Sequence, residues 1–336
     1  MSDKMNVVDY PWLSLHWQRL VQLTESQKLP HAFLFIGSQG IGKKTLVQAF
    51  EALLLCQQPT LQSACGECRS CYLQQQGLHP DSRRYGEQDP ISIDDIRELK
   101  SFIEETPHQN GKKVVCLFGV DKLQTAQANA LLKMVEEPQD KTVLLLVANK
   151  GTILPTLKSR CFIINIPIPA SQVALAWLVQ QHPQVAISQI NMSLYFATGA
   201  PLQARALLAA NLNEYEAMIS ALLTGNVAAF DSAQIQEFIL SKPLAALYLM
   251  YYFLADLLKV VLKGEPGYLY NDDQSQQIAK LKMCIPTPRI VEFIDNVNES
   301  IKSLALPGVN KSLLFESLFC QWQLLCQQGI KHESRT

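Results

Sequence analysis

The run Gly37-Ser38-Gln39-Gly40-Ile41-Gly42-Lys43-Lys44-Thr45 lies between a bare apolar segment, Ala32 to Ile36, and a helical pattern from about Lys43 to Cys56. Strand, glycine loop and helix in that order form the setting of a phosphate loop. Three of the fifteen glycines fall within six residues here, so the backbone can curl and turn its N–H groups toward an anion. Gly37, Gly40, Gly42, Lys43 and Thr45 are therefore candidate nucleotide contacts, with Lys43 reaching the β and γ phosphates. The residue after the Gly-Lys pair should carry a hydroxyl for Mg²⁺, yet Lys44 stands there and Thr45 comes one place late. One step around a helix is about 100°, which turns Thr45 away from the metal position. A relic or weak pocket is favoured over a working one.

From Ala32 to Ile166 short apolar runs alternate with helical patterns, the signature of an α/β layer with a parallel sheet. Strands are expected at Ala32 to Ile36, Lys113 to Phe118, Thr142 to Ala148 and Cys161 to Ile166, with a weaker one at Ser82 to Tyr85. Helices are expected at about Leu13 to Ser26, Lys43 to Cys56, Asp94 to Glu105 and Ala126 to Glu136. A hydrolytic site ends its second core strand with an acid for the metal and often another for the attacking water. Here Val114-Val115-Cys116-Leu117 runs into Phe118-Gly119, and Asp121 reads as a turn residue beyond the strand end. Hydrolysis by this chain alone is not expected.

Ile166-Pro167-Ile168-Pro169 reads as a hinge, because two prolines remove donors and fix the backbone. Beyond it the pattern is helical: one helix from Ser171 towards Gln181, a second ending near Gly199, and a third opened by Pro201. Farther on, Thr287 and Pro288 read as N-cap and first turn of a helix, and a last helix carries Leu314, Leu318, Trp322 and Leu325 on one stripe. The expected division is 1–167 for the α/β domain, 168–211 for a small three-helix domain and 212–336 for an all-helical C-terminal domain. Apolar residues make up 48% and charged residues 18% of the chain, enough for packed cores and too apolar for disorder. A net charge of −1 excludes a polybasic coat for nucleic acid. The longest apolar run, Leu244 to Ala255, stops at Asp256, short of a spanning segment, so no membrane role and a cytoplasmic setting are expected. Nothing in the first residues reads as an export signal, and the nine cysteines are expected to stay reduced.

Cys65, Cys68 and Cys71 repeat at three-residue intervals, and Cys56 ends the helix upstream. Four thiolates close a tetrahedral shell around Zn²⁺ with no open position for chemistry, so the expected metal is structural. An iron–sulfur run would take its next cysteine three residues later, where Tyr72 to Gln76 supplies none. Free buried cysteines are the remaining alternative. Cys116, Cys161, Cys284, Cys320 and Cys326 are read as small core residues. Asn149 follows the strand Thr142 to Ala148, where a polar sensor of the γ phosphate often stands, and Ser159-Arg160-Cys161 precedes the last strand.

Taken together, His31-Ala32, the cysteines 56, 65, 68 and 71, the run Asn129-Ala130-Leu131-Leu132-Lys133-Met134-Val135-Glu136-Glu137-Pro138 and Ser159-Arg160-Cys161 resemble the bacterial clamp-loader family of AAA+ proteins. The resemblance covers nearly the whole chain and is weaker after about Leu212, where Pro307-Gly308-Val309-Asn310 and the last helix still match. It implies an AAA+ parallel-sheet P-loop domain with a zinc module, a helical lid and an all-α collar. Lys44, Phe118 and Gly119 depart from the family's motor, and Leu202 stands where the motor's lid places a sensor arginine, with Arg205 one turn on. Such a chain resembles the family's non-motor arm. It would belong to the DNA polymerase III holoenzyme, join gamma or tau motor subunits and a delta subunit, and meet the sliding clamp and primer-template DNA through the complex. ATP and Mg²⁺ would be bound by the partners, and Arg160 would act as an arginine finger in the neighbouring motor's site. Two other readings compete: a slow ATPase using Lys43 and Thr45, and a zinc-dependent nucleic-acid-binding module. The near cancellation of Glu67 and Arg69 beside the cysteines gives the second little electrostatic help.

Overall fold

The computed structural model describes residues 7–25, 29–60, 63–109, 111–149, 153–185, 187–209, 213–262, 285–304 and 308–333. Cys284, Pro307 and the expected 211/212 boundary lie outside them. The chain divides into two compact units, Met1–Trp177 with Ala200–Gln203, and Leu178–Gly199 with Ala204–Thr336. The helices expected at 168–211 are shared between the two.

In the first unit, α1 (Ser14–Glu25) leads into β1 (Ala32–Ile36), followed by α2 (Lys43–Leu55), α3 (Arg69–Gln75), β2 (Ser82–Tyr85), α4 (Ile93–Glu104) and β3 (Lys113–Phe118). Next come α5 (Thr125–Glu136), β4 (Thr142–Ala148), the short α6 (Pro155–Lys158) and β5 (Phe162–Asn165). The strands form one sheet in the order β2-β3-β4-β1-β5, and every pairing is parallel. The central strands β1, β3 and β4 are bare apolar runs because both of their faces are covered. The last strand is shorter than its apolar run, since Cys161 and Ile166 fall outside the ladder with β1. Helix α4 begins one residue before the expected start: Ser92 Oγ accepts from Asp95 N at 3.0 Å and Ser92 N donates to Asp95 Oδ2 at 2.7 Å, a reciprocal cap. Helices α7 (Ser171–Gln181), α8 (Ile187–Phe196) and α9 (Pro201–Ala209) follow the sheet.

The second unit is helical throughout its described residues, built on α10 (Asn213–Thr224), α11 (Val227–Phe230), α12 (Ala233–Ser241), α13 (Pro243–Val261) and the helices Thr287–Ser303 and Lys311–Glu333. Helix α13 is long and apolar enough by composition to cross a membrane. Its Leu247, Met250, Phe253, Leu254 and Leu257 are instead core residues of this unit, and the run continues past Asp256, which is buried with them. The core closes on Trp322, fully buried between Phe253 and Phe293, its indole N–H donating to Leu222 O at 2.9 Å. Two sequence expectations change here. Pro286, not Thr287, occupies the cap position, and Thr287 is the first helical residue. Cys320 is exposed, because the buried stripe of the last helix runs through Phe315, Leu318, Phe319, Trp322 and Cys326.

Candidate functional site

Three groups of side chains are candidates for chemistry, all in the first unit. The phosphate loop leaves the C-terminal end of β1, the edge at which ligands meet open parallel sheets. Gly37 admits no side chain, since a Cβ there would lie 2.4 Å from Ile166 O. Gly40 and Gly42 take φ of 78° and 91°, the left-handed region that glycine enters freely. Gly42 immediately precedes α2, and Lys43 is its first residue.

Lys43 Nζ donates to Gly37 O at 2.9 Å, Ser38 O at 2.6 Å and Asn149 Oδ1 at 3.0 Å. Asn149 N in turn donates to Asp121 Oδ1 at 3.0 Å. Burial lowers the Lys43 pKa to about 8, against the opposing pull of the Asp121 carboxylate. The structure thus brings Gly37, Lys43 and Asn149 together and adds Asp121. The sequence reading put Asp121 outside the site. A 3₁₀ turn at Val120–Lys122, entered through Gly119 at φ 78°, folds it back across the sheet edge. An acid just past a core strand that ends in glycine was the available signal.

Two residues that follow Lys43, Lys44 and Gln48, face away from it toward the ends of β2 and β3. Lys44 points out to Glu87, 3.4 Å away, and lies over the Phe118 ring at 5.7 Å, with Gln48 Nε2 donating to the same carboxylate at 2.9 Å. Lys44 and Phe118, at the sequence positions where a hydrolytic site carries a hydroxyl and a carboxylate, thus pack against each other, with Lys44 paired to Glu87. The loop is also covered from within its own unit. Trp12 Nε1 donates to Ile41 O at 2.8 Å, and Leu202 N donates to Gly40 O at 2.9 Å.

The cysteines 56, 65, 68 and 71 place their four sulfur atoms within 4.8 Å of one another. Cys56 Sγ and Cys65 Sγ are 3.5 Å apart, and Cys65 Sγ and Cys71 Sγ are 3.9 Å apart. Tetrahedral thiolates at the usual zinc–sulfur length sit about 3.8 Å from one another, so the residues fit a metal of that class. Backbone N–H groups face the sulfurs: Cys65 N to Cys56 Sγ at 3.3 Å, Cys68 N to Cys65 Sγ at 3.4 Å and Cys71 N to Cys68 Sγ at 3.4 Å. Burial alone would raise the Cys68 pKa, but hydrogen bonds from the Cys71 and Gln57 backbone and from neighbouring thiols lower it to about 6. Burial raises those of Cys56 and Cys71, while backbone hydrogen bonds lower that of Cys65.

This module is pinned to the sheet by buried polar groups that sequence reasoning missed. Ser70, on α3, donates to Leu55 O at the end of α2 and lies 2.7 Å from His79 Nε2. Glu51, fully buried on α2, accepts from Arg84 Nε at 2.8 Å, from Ser82 Oγ and from Gln74 Nε2 at 3.4 Å.

Arg160 lies at the opposite edge of the sheet. The register pairs Phe162 with Phe33 and Asn165 with Ile36, so Arg160 stands level with the start of β1. Roughly 15–20 Å of strand separates it from the phosphate loop, more than its side chain spans. Its Nε pairs with Glu136 Oε1 at 2.8 Å, and its Nη1 donates to Thr156 O at 3.0 Å and Ser159 Oγ at 3.3 Å. Nη2 has no partner among the described residues.

Two family models match the chain: the DNA polymerase III delta subunit over residues 13–170, and the C-terminal part of the DNA polymerase III delta subunit over residues 209–323. A DNA polymerase III subunit delta' from Pseudomonas aeruginosa is 31% identical over 95% of this chain and 99% of its own length. The chain belongs to the DNA polymerase III delta' subunit family. A delta' subunit from Yersinia pestis is also 31% identical, over 95% of this chain and 97% of its own. A DNA polymerase III subunit tau/gamma from Haemophilus influenzae is 33% identical over 41% of this chain and 20% of its own length. Among solved structures, a DNA polymerase III gamma subunit-related protein from Thermotoga maritima covers 93% of this chain and 99% of its own, at 17% identity and a TM-score of 0.41.

Proposed function

We propose that this chain is the non-motor arm of a DNA polymerase III clamp loader and supplies Arg160 in trans to the ATP site of a neighbouring motor subunit. Its partners are motor subunits of the gamma/tau type and a delta subunit. Through that complex it helps place a sliding clamp on primer-template DNA in the cytoplasm. It is an accessory subunit of a DNA-directed DNA polymerase, and the motors bind and hydrolyse ATP with Mg²⁺.

The observation that carries this reading is the separation of Arg160 from its own phosphate loop, together with an Nη2 that has no partner among the described residues. A guanidinium that cannot reach its own loop, yet keeps free donors at an exposed edge, suits an anion brought by another molecule. The altered metal side of the loop, with Lys44 paired to Glu87, supports the absence of a fuel-burning site here. Cys56, Cys65, Cys68 and Cys71 would hold a structural Zn²⁺, which supplies folding energy and no reaction.

The test is ATP turnover by the complex reconstituted with motor and delta subunits. Arg160→Ala should leave assembly intact and lower turnover at the motor site it faces by about 10³-fold or more, the usual worth of an arginine finger. Unchanged turnover in an intact complex rejects the reading.

A further inference from the structure

We infer that Glu136 is a positioning residue for Arg160, holding the guanidinium by its inner edge so that the outer edge meets the neighbouring subunit's triphosphate. This rests on the trans role proposed above. Glu136 Oε1 lies 2.8 Å from Arg160 Nε, and the backbone of α6 takes Nη1 through Thr156 O at 3.0 Å. Two of the three nitrogens are therefore fixed by the chain itself, and Nη2, without a partner among the described residues, remains for an external oxyanion.

The carboxylate is itself well placed. Glu136 is the last residue of α5. The carbonyl of Val135, its neighbour, lies 3.0 Å from His31 Nε2, and because a carbonyl only accepts, that nitrogen donates. His31 immediately precedes β1, so the end of α5 is tied to the same sheet edge from which Arg160 projects. Glu137 N also closes on Lys133 O at 3.0 Å, ending the helix where the chain turns into Pro138.

Energetics favour a positioning role over a stabilising one. Both partners are partly exposed, with side-chain accessibilities of 39% for Arg160 and 43% for Glu136, so the pair contributes little to folding. A long arginine side chain has much rotamer freedom to lose, and holding it beforehand removes part of that cost at the transition state. Loss of the hold should weaken the Arg160-dependent turnover by about three- to thirty-fold, well short of losing the guanidinium itself.

The experiment compares reconstituted complexes carrying wild-type chain, Arg160→Ala, Glu136→Ala, Glu136→Gln and the Glu136→Ala/Arg160→Ala double variant. Arg160-dependent turnover is the difference between wild type and Arg160→Ala. Glu136→Ala is expected to reduce it about three- to thirty-fold with ATP affinity unchanged. Glu136→Gln, which keeps the acceptor oxygen, should recover part of it, and the double variant should match Arg160→Ala alone. If Arg160→Ala has no effect, the trans role falls and takes this inference with it. If Arg160→Ala acts but Glu136→Ala stays within twofold of wild type, or raises turnover, the trans role stands and the positioning role is overturned.

Discussion

Replacing Glu51 by leucine removes a fully buried carboxylate that answers Arg84, Ser82 and Gln74 at once. Arg84 makes two contacts with it, Nε at 2.8 Å and Nη2 at 2.7 Å, and the ion pair raises the Arg84 pKa although burial alone would lower it. Breaking a buried pair by deleting one partner costs about 3–5 kcal/mol, because the surviving charge is left without compensation. The Arg84 side chain is 24% exposed and can recruit some water, which places the expected loss near the lower end, about 3 kcal/mol. In a unit of this size that corresponds to a fall in melting temperature of about 6–12 °C. Scanning calorimetry of the full chain should show the lower-temperature shift in the transition of the α/β unit, with the helical unit unmoved. The double variant Glu51→Leu/Arg84→Met replaces the pair by apolar groups of similar volume and should recover most of the loss. A shift of less than about 2 °C in the single variant, or a double variant as unstable as the two single ones summed, would refute the reasoning.

Removing metal with a chelator should release one zinc per chain and raise hydrogen exchange in α3 and around Cys65 to Cys68, while β1, β3 and β4 stay protected. Spread of the loosening through those strands would contradict a local, structural role for the cysteines. Lys43 has a folded pKa of about 8, below its ordinary value of 10.5. Between those two pH values the unfolded chain binds the extra proton, so the stability of wild type relative to Lys43→Met should rise as pH increases from about 8 to 10.5. Urea unfolding at a series of pH values measures this, and a flat or falling difference would show that the ammonium carries no burial cost.

The sheet was legible because β1, β3 and β4 are uninterrupted apolar runs between turn signals, and a strand buried on both faces leaves that trace. The cysteine cluster was legible because three-residue spacing by itself brings the sulfur atoms of one turn together. Asp121 was not, because its place depends on a 3₁₀ turn and on Asn149, 28 residues later, whose N–H it accepts. Glu51 carries a signal of its own in the sequence. It falls four residues after Val47 and four before Leu55, on the buried stripe of α2, where an acid needs a partner from another element. That partner, Arg84, is 33 residues away on β2, the strand with the weakest apolar pattern. Trp12 and Leu202, which seal the phosphate loop, were equally invisible because their contacts join segments distant in the sequence.

The three acceptors that surround Lys43 all come from the chain itself, and the Gly40 carbonyl is met by the Leu202 amide. A loop whose lysine already has three acceptors and whose Gly40 carbonyl is already met keeps its curvature whether or not any guest arrives.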